Sequence, residues 1–277
     1  MKRRRFFELM TGSLAMPSCR SAPALSQWKG IAMGIAVSVQ YRGDVDLDEA
    51  LQVVANAEEV LSLWSADSAL SQLNRDGFLK NPPKHLLVCL EKARELFEES
   101  EGDFDPSIHS FLEWAKAEHQ AGREPQEREM VERLKRVDFN QVEFSEAKVR
   151  MAPGVALSFN AIAQGYLTDL FAENFSASSA LVHFGEYRVI GSPAWPVEVK
   201  GKTHQLSRAL AVSSGSGQRL SATSAANHLI DPKTGKSPAP KKVFAVEADE
   251  AWLADGLSTI VAVGGEIPAK YASVKVI

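Results

Sequence analysis

Apolar residues occupy every second position from Ile31 through Met33, Ile35, Val37 and Val39 to Tyr41. A period of two over this span predicts one strand with a single buried face. Arg42-Gly43-Asp44 ends it, and the spacing then changes. Leu47, Ala50, Leu51, Val54, Ala57 and Leu61 recur at helical spacing behind Asp46 and Glu49, which read as a cap and capping box. That helix is expected to run to about Leu63. Asn74-Arg75-Asp76-Gly77 reads as a turn. A second amphipathic helix is predicted over about Lys84 to Glu99, with Leu86, Leu90, Ala93, Leu96 and Phe97 on one face and Cys89 beside it as inert core filling. Residues 113–136 are charge-rich and helical, split by Gly122 and Pro125, and read as surface.

Further on, an apolar, strand-like approach from Val155 to Phe159 meets small residues, then Gly165 and a helix from Tyr166. Ala180 to Ile190 is apolar but interrupted by Gly185-Glu186. Trp195, Val197 and Val199 alternate again, Leu210 and Val212 continue the pattern, and Val243 to Val246 is another strand. A last helix opens at Ala254 and is closed by Gly264-Gly265. Strands and long helices without a regular βαβ rhythm predict an α+β fold, with mixed or antiparallel sheets flanked by helices.

Composition changes this picture little, except at the start. The 277 residues are 45% hydrophobic and 24% charged, ordinary for a globular chain, and no apolar run approaches the roughly 18–20 residues that span a bilayer. A formal net charge of −4 gives no reason to expect nucleic acid. Residues 1–24 stand apart: Lys2, Arg3, Arg4 and Arg5 precede Phe6 and Phe7, and an Ala22-Pro23-Ala24 site follows. That is the form of an export signal, and the consecutive arginines resemble a twin-arginine leader. The expected division is a signal over 1–24 and a single domain over 25–277, located in the periplasm. Removing the signal takes away five basic residues and one acidic one, leaving the rest of the chain at −8 against −4 for the whole. Met16-Pro17-Ser18-Cys19 is a poor lipid-attachment box, and the reading is against an anchor. Cys89 would be left as a lone thiol with no disulfide partner.

Several stretches carry candidate chemistry. Trp64, at a helix exit, either caps the core or stacks on a planar ring. Gly102-Asp103-Phe104-Asp105-Pro106-Ser107 is a turn whose carboxylates can hydrogen-bond the polar edge of a ligand. Ser158 to Tyr166 is either a tight turn between packed elements or a place where backbone amides and carbonyls approach a ligand. Ser213-Ser214-Gly215-Ser216-Gly217 reads as a phosphate nest, a hairpin or a flexible loop. In Asn227-His228-Leu229-Ile230-Asp231-Pro232-Lys233-Thr234-Gly235, a His on a structured turn offers a proton acceptor. Asp255 and Thr259 lie at i and i+4 on one helical face, and their oxygens suit a hard cation such as magnesium.

Taken in order, these segments resemble the FAD:protein FMN transferase (ApbE) family, over nearly everything from residue 30 onward. The resemblance implies an α+β unit of two lobes with a flavin cleft. It also implies a magnesium-dependent enzyme that cleaves FAD, attaches FMN through a phosphoester to a Thr or Ser of a target flavoprotein, and releases AMP. A subunit of a membrane respiratory complex is one possible acceptor. By the same resemblance His228 is the base. Asp255, Thr259 and the Ala161 carbonyl hold the metal, with Ser258 where some members carry a further carboxylate. Met33, Trp64, Asp103, Phe104, Asp105 and Ile230 contact the flavin, and Ser158 and Gln164 stand where relatives carry the FAD-touching Asp and Lys. Glu186-Tyr187 replaces a frequent Gly-Asp pair. A flavin carrier or assembly protein for exported respiratory flavoproteins and a magnesium-dependent FAD pyrophosphatase are the alternatives, and the oligomeric state is not legible.

Overall fold

A computed structural model describes residues 24–222 and 225–277; the export signal read over residues 1–24 lies, but for its last residue, outside them. The chain opens with β1 (Leu25–Ala32) and β2 (Ile35–Arg42), then α1 (Asp48–Leu61), α2 (Ala69–Asp76), β3 (Phe78–Lys80) and α3 (Lys84–Glu99). After these come α4 (His109–Gln120), α5 (Glu127–Leu134), β4 (Val142–Ser145), β5 (Lys148–Met151) and α6 (Ala163–Glu173). Strands β6 (Ser179–His183), β7 (Tyr187–Gly191), β8 (Trp195–Val199), β9 (Lys202–Leu206), β10 (Ala209–Ser214) and β11 (Val243–Ala248) lead to α7 (Ala251–Val263) and β12 (Lys275–Val276).

Seven strands form the main sheet in the order β1-β2-β6-β7-β10-β11-β12, every pairing antiparallel. Its inner strands alternate between two cores. Val39, Val182 and Val246 face the larger core with the helices, whereas Leu181, Leu210 and Ala245 face a smaller one closed by the β8–β9 ribbon through Trp195, Val197 and Leu206. With both faces covered, β6 is buried along most of its length, which explains its nearly unbroken apolar sequence. Strands β3, β5 and β4 make a small second sheet. The α+β expectation with antiparallel sheets therefore holds.

The single strand expected over 31–41 is instead a hairpin. The chain reverses at Met33 (φ 49°) and Gly34 (φ 77°), and β1 and β2 pair from Leu25↔Arg42 to Ala32↔Ile35. Two left-handed residues are what a tight hairpin turn needs. The reversal moves the buried face from the even positions Trp28 and Ala32 of β1 to the odd positions Val37 and Val39 of β2, so Ile31, which fits the apolar alternation, is 58% exposed. The Asp46–Glu49 capping box does not form: Asp46 Oδ1 accepts from Asp48 N at 2.9 Å in the turn leading into α1, but the N-cap is Leu47 without a side-chain cap, and the helix stops at Leu61. Asn74 to Gly77 is the end of α2 rather than a separate turn, with Gly77 left-handed at its C-cap. The predicted helix over 84–99 matches α3, and Gly122 and Pro125 fall between α4 and α5. Cys89 is fully buried, and burial pushes its thiol pKa up.

Two helices decide where the chemistry can sit. α6 and α7 cross near their first turns so closely that a Cβ on Gly165 would lie 2.4 Å from Ala251 O and 2.6 Å from Trp252 Cα. Gly165 is there because any side chain would meet backbone. We predict that Gly165→Ala destabilises the protein by about 1–3 kcal/mol, the cost of overpacking a rigid contact. Urea unfolding checks this, and an unchanged midpoint would show that the crossing has slack.

Candidate active site

Each of the two crossing helices is capped by a carboxylate of the other. Neither has a side-chain cap of its own, Ile162 standing at the N-cap of α6 and Glu250 at that of α7. Asp169, on α6, accepts from Ala251 N at 2.8 Å and Trp252 N at 2.9 Å, the first free amides of α7. Asp255, on α7, accepts in turn from Gly165 N in the first turn of α6, at 3.2 Å. Negative charge at a helix N-terminus satisfies unpaired amides and complements the helix dipole. This is also why both helices begin three residues earlier than the pattern suggested: the signals that start them lie far away in sequence.

The two carboxylates are in different electrostatic positions. Asp169 is paired with Arg188, although burial still leaves its pKa raised. Asp255 is buried, has one amide donor and no basic partner, and is repelled by Asp169; burial foremost pushes its pKa up to about 7. Thr259 lies one turn further along the same face, half-buried. Ser258 is fully buried and committed: its hydroxyl donates to Asp255 O at 2.9 Å and lies 2.6 Å from Ser213 Oγ. A hydroxyl has one hydrogen, so Ser213 is the donor of that second bond, and β10 is thereby tied to α7.

The strand-like approach from Val155 to Phe159 is not part of a sheet. Val155, Leu157 and Phe159 are buried, so the alternation is real, but the backbone is held by a side chain instead of a ladder. Asn74 donates to Leu157 O at 2.8 Å and accepts from Leu157 N at 2.7 Å. Ser158 N donates to Pro106 O at 2.9 Å, and a single parallel bridge joins Ile108 to Ala156. The Gly102–Ser107 turn is thus laid against the stretch leading to Ala161. Ser158 Oγ accepts from Asn160 N, and Gln164 lies against Gly185, where a Cβ would come within 2.6 Å of its Oε1.

On the other side, the Asn227–Gly235 segment is a built loop. Asn227, fully buried, donates to Pro238 O at 2.9 Å and accepts from Leu229 N at 3.1 Å, and Asp231 closes the turn by accepting from Lys233 N and Thr234 Oγ1. Asp231 therefore shapes the loop and does not orient the histidine. His228 Nδ1 lies 3.2 Å from Gln218 O. A carbonyl only accepts, so Nδ1 carries the hydrogen and Nε2 keeps its lone pair. Burial lowers the pKa of His228, which favours this neutral form. The Ser213–Gly217 run joins base to acid: Ser213 holds the Asp255 helix, and Gly217 packs under the imidazole, a Cβ there falling 3.7 Å from Cε1. Lys233 reaches Asp103 at 2.6 Å and so connects this loop to the Gly102–Ser107 turn.

Not every candidate joins this arrangement. Asp105 is spent on the fold, accepting from Ser107 N and Oγ with one oxygen and from Phe139 N with the other. Phe104 is a core ring. Ile230 packs with Phe111, Ala115 and Leu220 beside a cavity of about 450 Å³ whose lining includes neither His228 nor Asp255. Met33 is held at the β1–β2 turn by Glu58, and Trp64 stands 81% exposed after α1. Among the described residues no cluster of three His, Cys, Asp or Glu side chains has metal-holding geometry, so any cation here must rely on hydroxyl and carbonyl oxygens as well. Sequence reasoning missed Asn74, Asp169 and Asn227 as the side chains that assemble the site; buried polar residues with backbone partners far along the chain leave no local pattern.

Comparisons with known proteins identify the family of the chain. Residues 33–274 match the ApbE family, so this α+β protein belongs to the ApbE family. A FAD:protein FMN transferase of Treponema pallidum (strain Nichols) is 30% identical over 154 residues, which is 50% of this chain and 42% of that protein, so the match spans under half the relative's length. Among solved structures, the flavinyl transferase ApbE of Pseudomonas stutzeri, in its apo form, superposes with a TM-score of 0.74 at 21% identity, covering 89% of this chain and 86% of that one. The flavin transferase ApbE of Vibrio cholerae gives 0.73 at 18%, covering 91% and 93%.

The state of Asp255 has a measurable consequence without any cation. Its carboxyl holds a proton up to about pH 7 when folded but releases it near 3.8 when unfolded. Through that window the folded state binds more protons, so stability falls as pH rises from about 4 to about 7. Chelator-treated protein should melt progressively lower across this range, and Asp255→Asn should flatten the slope. A wild-type melting temperature independent of pH would contradict the assignment.

Proposed function

We propose that this chain is a magnesium-dependent FAD:protein FMN transferase, acting on FAD and on a Thr or Ser hydroxyl of an acceptor flavoprotein. The observation that carries the reading is the Ser213–Gly217 run, bonded at one end to the Asp255 helix and packed at the other under His228. It couples an oxygen-rich acidic face to a neutral base. A carrier would need neither, whereas cleavage of a pyrophosphate needs both.

The donor chemistry supports the metal. Asp255 is a buried carboxylate with one amide donor and no basic partner, Thr259 adds a hydroxyl one turn away, and Ala161 adds a backbone carbonyl on the loop entering α6. All three are oxygen donors of the kind a hard cation takes, and a cation would relieve the charge that burial now opposes. When bound, magnesium neutralises the phosphate oxygens and stabilises charge on the leaving group. Ser258 acts by fixing Asp255 and β10 together.

In the reaction, the acceptor hydroxyl attacks the FMN-side phosphorus of FAD. His228 Nε2 takes its proton, the new P–O bond joins FMN to the acceptor, and the bond to AMP breaks with its electron pair on the departing phosphate. The positions of Ser158 and Gln164, on the loop beside Ala161 and against Gly185, support FAD contacts through neutral hydrogen bonds. An exported location follows as part of the proposal from Lys2 to Arg5 and Ala22-Pro23-Ala24.

Incubating residues 25–277 with FAD, magnesium and a candidate acceptor domain should give a mass increase equal to one FMN and a fluorescent band that survives denaturation. Intact FAD with no adduct would instead support a carrier, and FMN with AMP but no adduct a pyrophosphatase. His228→Ala should retain FAD but transfer roughly 10²–10⁴-fold more slowly. Since burial lowers the His228 pKa, the acid limb of the wild-type rate should fall below the ordinary histidine value of about 6.5. A limb well above that value would assign the base elsewhere.

A further inference from the structure

Glu186 sits in the β6–β7 turn, a position for which a tight hairpin has no structural need of a carboxylate. It is 94% buried by side-chain and backbone neighbours, being 6% exposed. Two elements hold it, β10 and α6. Its Oε2 accepts from Val212 N on β10 at 3.1 Å, and its backbone carbonyl accepts from Thr168 Oγ1 on α6 at 3.2 Å. The single Thr168 hydroxyl hydrogen is shared between that carbonyl and the closer Gln164 O at 2.8 Å, and Gln164 packs on Gly185. Val212 and Gln164 are each one residue from an anchor of Asp255: Ser213 bonds Ser258 beneath it, and Gly165 N donates to its carboxylate. Glu186 is therefore tied to β10 and α6, the two elements that also anchor Asp255 and its helix.

The charges around it are not balanced. Arg188, the basic residue nearest in sequence, is committed to Asp169 on the other side of α6. Thr168, Gln164, Val212, Ser213 and Ser258 are neutral, and Asp255 and Asp169 are acidic. One oxygen of Glu186 has a single amide donor. Two buried carboxylates that share supports with no counter-charge between them oppose each other, and a cation between them would relieve that opposition. A fold that only needed the Val212 bond would be served better by Gln, which offers the same acceptor without charge.

We propose that Glu186 supplies a second carboxylate to the cation site around Asp255, so that this chain binds its divalent ion between two acidic side chains contributed by α7 and the β6–β7 turn. The inference rests on the cation site proposed above and adds a residue to it. It makes the β6–β7 turn part of the site, which explains why Gly185, left-handed at φ 104°, brings that turn down onto Gln164.

The test is Glu186→Gln, with Mn²⁺ as the probe ion, titrated by calorimetry in the absence of FAD, alongside thermal melts in chelator. Because Gln can still accept from Val212 N, the variant should fold and should melt higher than wild type without metal, the repulsion being gone. Its Mn²⁺ affinity should fall at least about tenfold. Glu143→Gln, a surface change on β4, should alter neither. A Glu186→Gln protein that binds Mn²⁺ as tightly as wild type overturns the role of Glu186 while leaving the cation site standing. One that fails to fold or melts lower also overturns it, since the argument requires relief of repulsion. Wild type that binds no Mn²⁺ removes the cation site itself and this proposal with it.

Discussion

The arrangement depends on the crossing of α6 and α7, where each helix supplies the carboxylate that caps the other. Asp169 takes the first amides of α7, and Asp255 takes Gly165 N on α6. The contact is possible because residue 165 has no side chain, and it is stabilised because three otherwise orphaned amides find buried acceptors. Its by-product is chemical. Of the two carboxylates, Arg188 neutralises only Asp169, and Asp255 is left as the buried acid without a counter-charge.

Everything else in the site is attached to that crossing by short-range bonds. Ser258 and Ser213 bring β10, and with it the glycine run under His228. Asn74 and Pro106 bring the loop containing Ser158 and Ala161 to the start of α6. Lys233 and Asp103 close the ring between the histidine loop and the turn after α3. A proton acceptor and a set of oxygen donors are thereby presented by rigid elements, which is the condition for phosphoryl chemistry dominated by positioning and charge neutralisation.

How much of this could be read from the sequence follows from the range of each interaction. Helix α3 was legible because its signal is its own 3.6-residue stripe, and the Gly264 end of α7 because a left-handed cap is a local requirement. The β1–β2 hairpin was not, because Met33 is an unusual residue for a left-handed turn and the exposed Ile31 continues the β2 alternation across the reversal. Short, charged strands such as β9 and β5 carry too little alternation to announce themselves. Within the site, Asp255, Thr259 and His228 could be nominated from residue type and family likeness. Their supports could not, because Asn74 meets Leu157 and Asp169 meets Ala251 across some eighty residues. The turn at Asp103 to Asp105 shows the limit of motif reading: two carboxylates two residues apart, of which one bridges to Lys233 and the other is consumed by Ser107 and Phe139.

The central claim is that the helix crossing creates one oxygen-lined cation site at Asp255. Anomalous diffraction from crystals soaked in Mn²⁺ tests it most directly. The account predicts a single strong peak at coordination distance, about 2.0–2.2 Å, from the Asp255 carboxylate, with the Thr259 hydroxyl and the Ala161 carbonyl around it. A peak placed elsewhere, or none at all in crystals of protein that still transfers FMN, would contradict it.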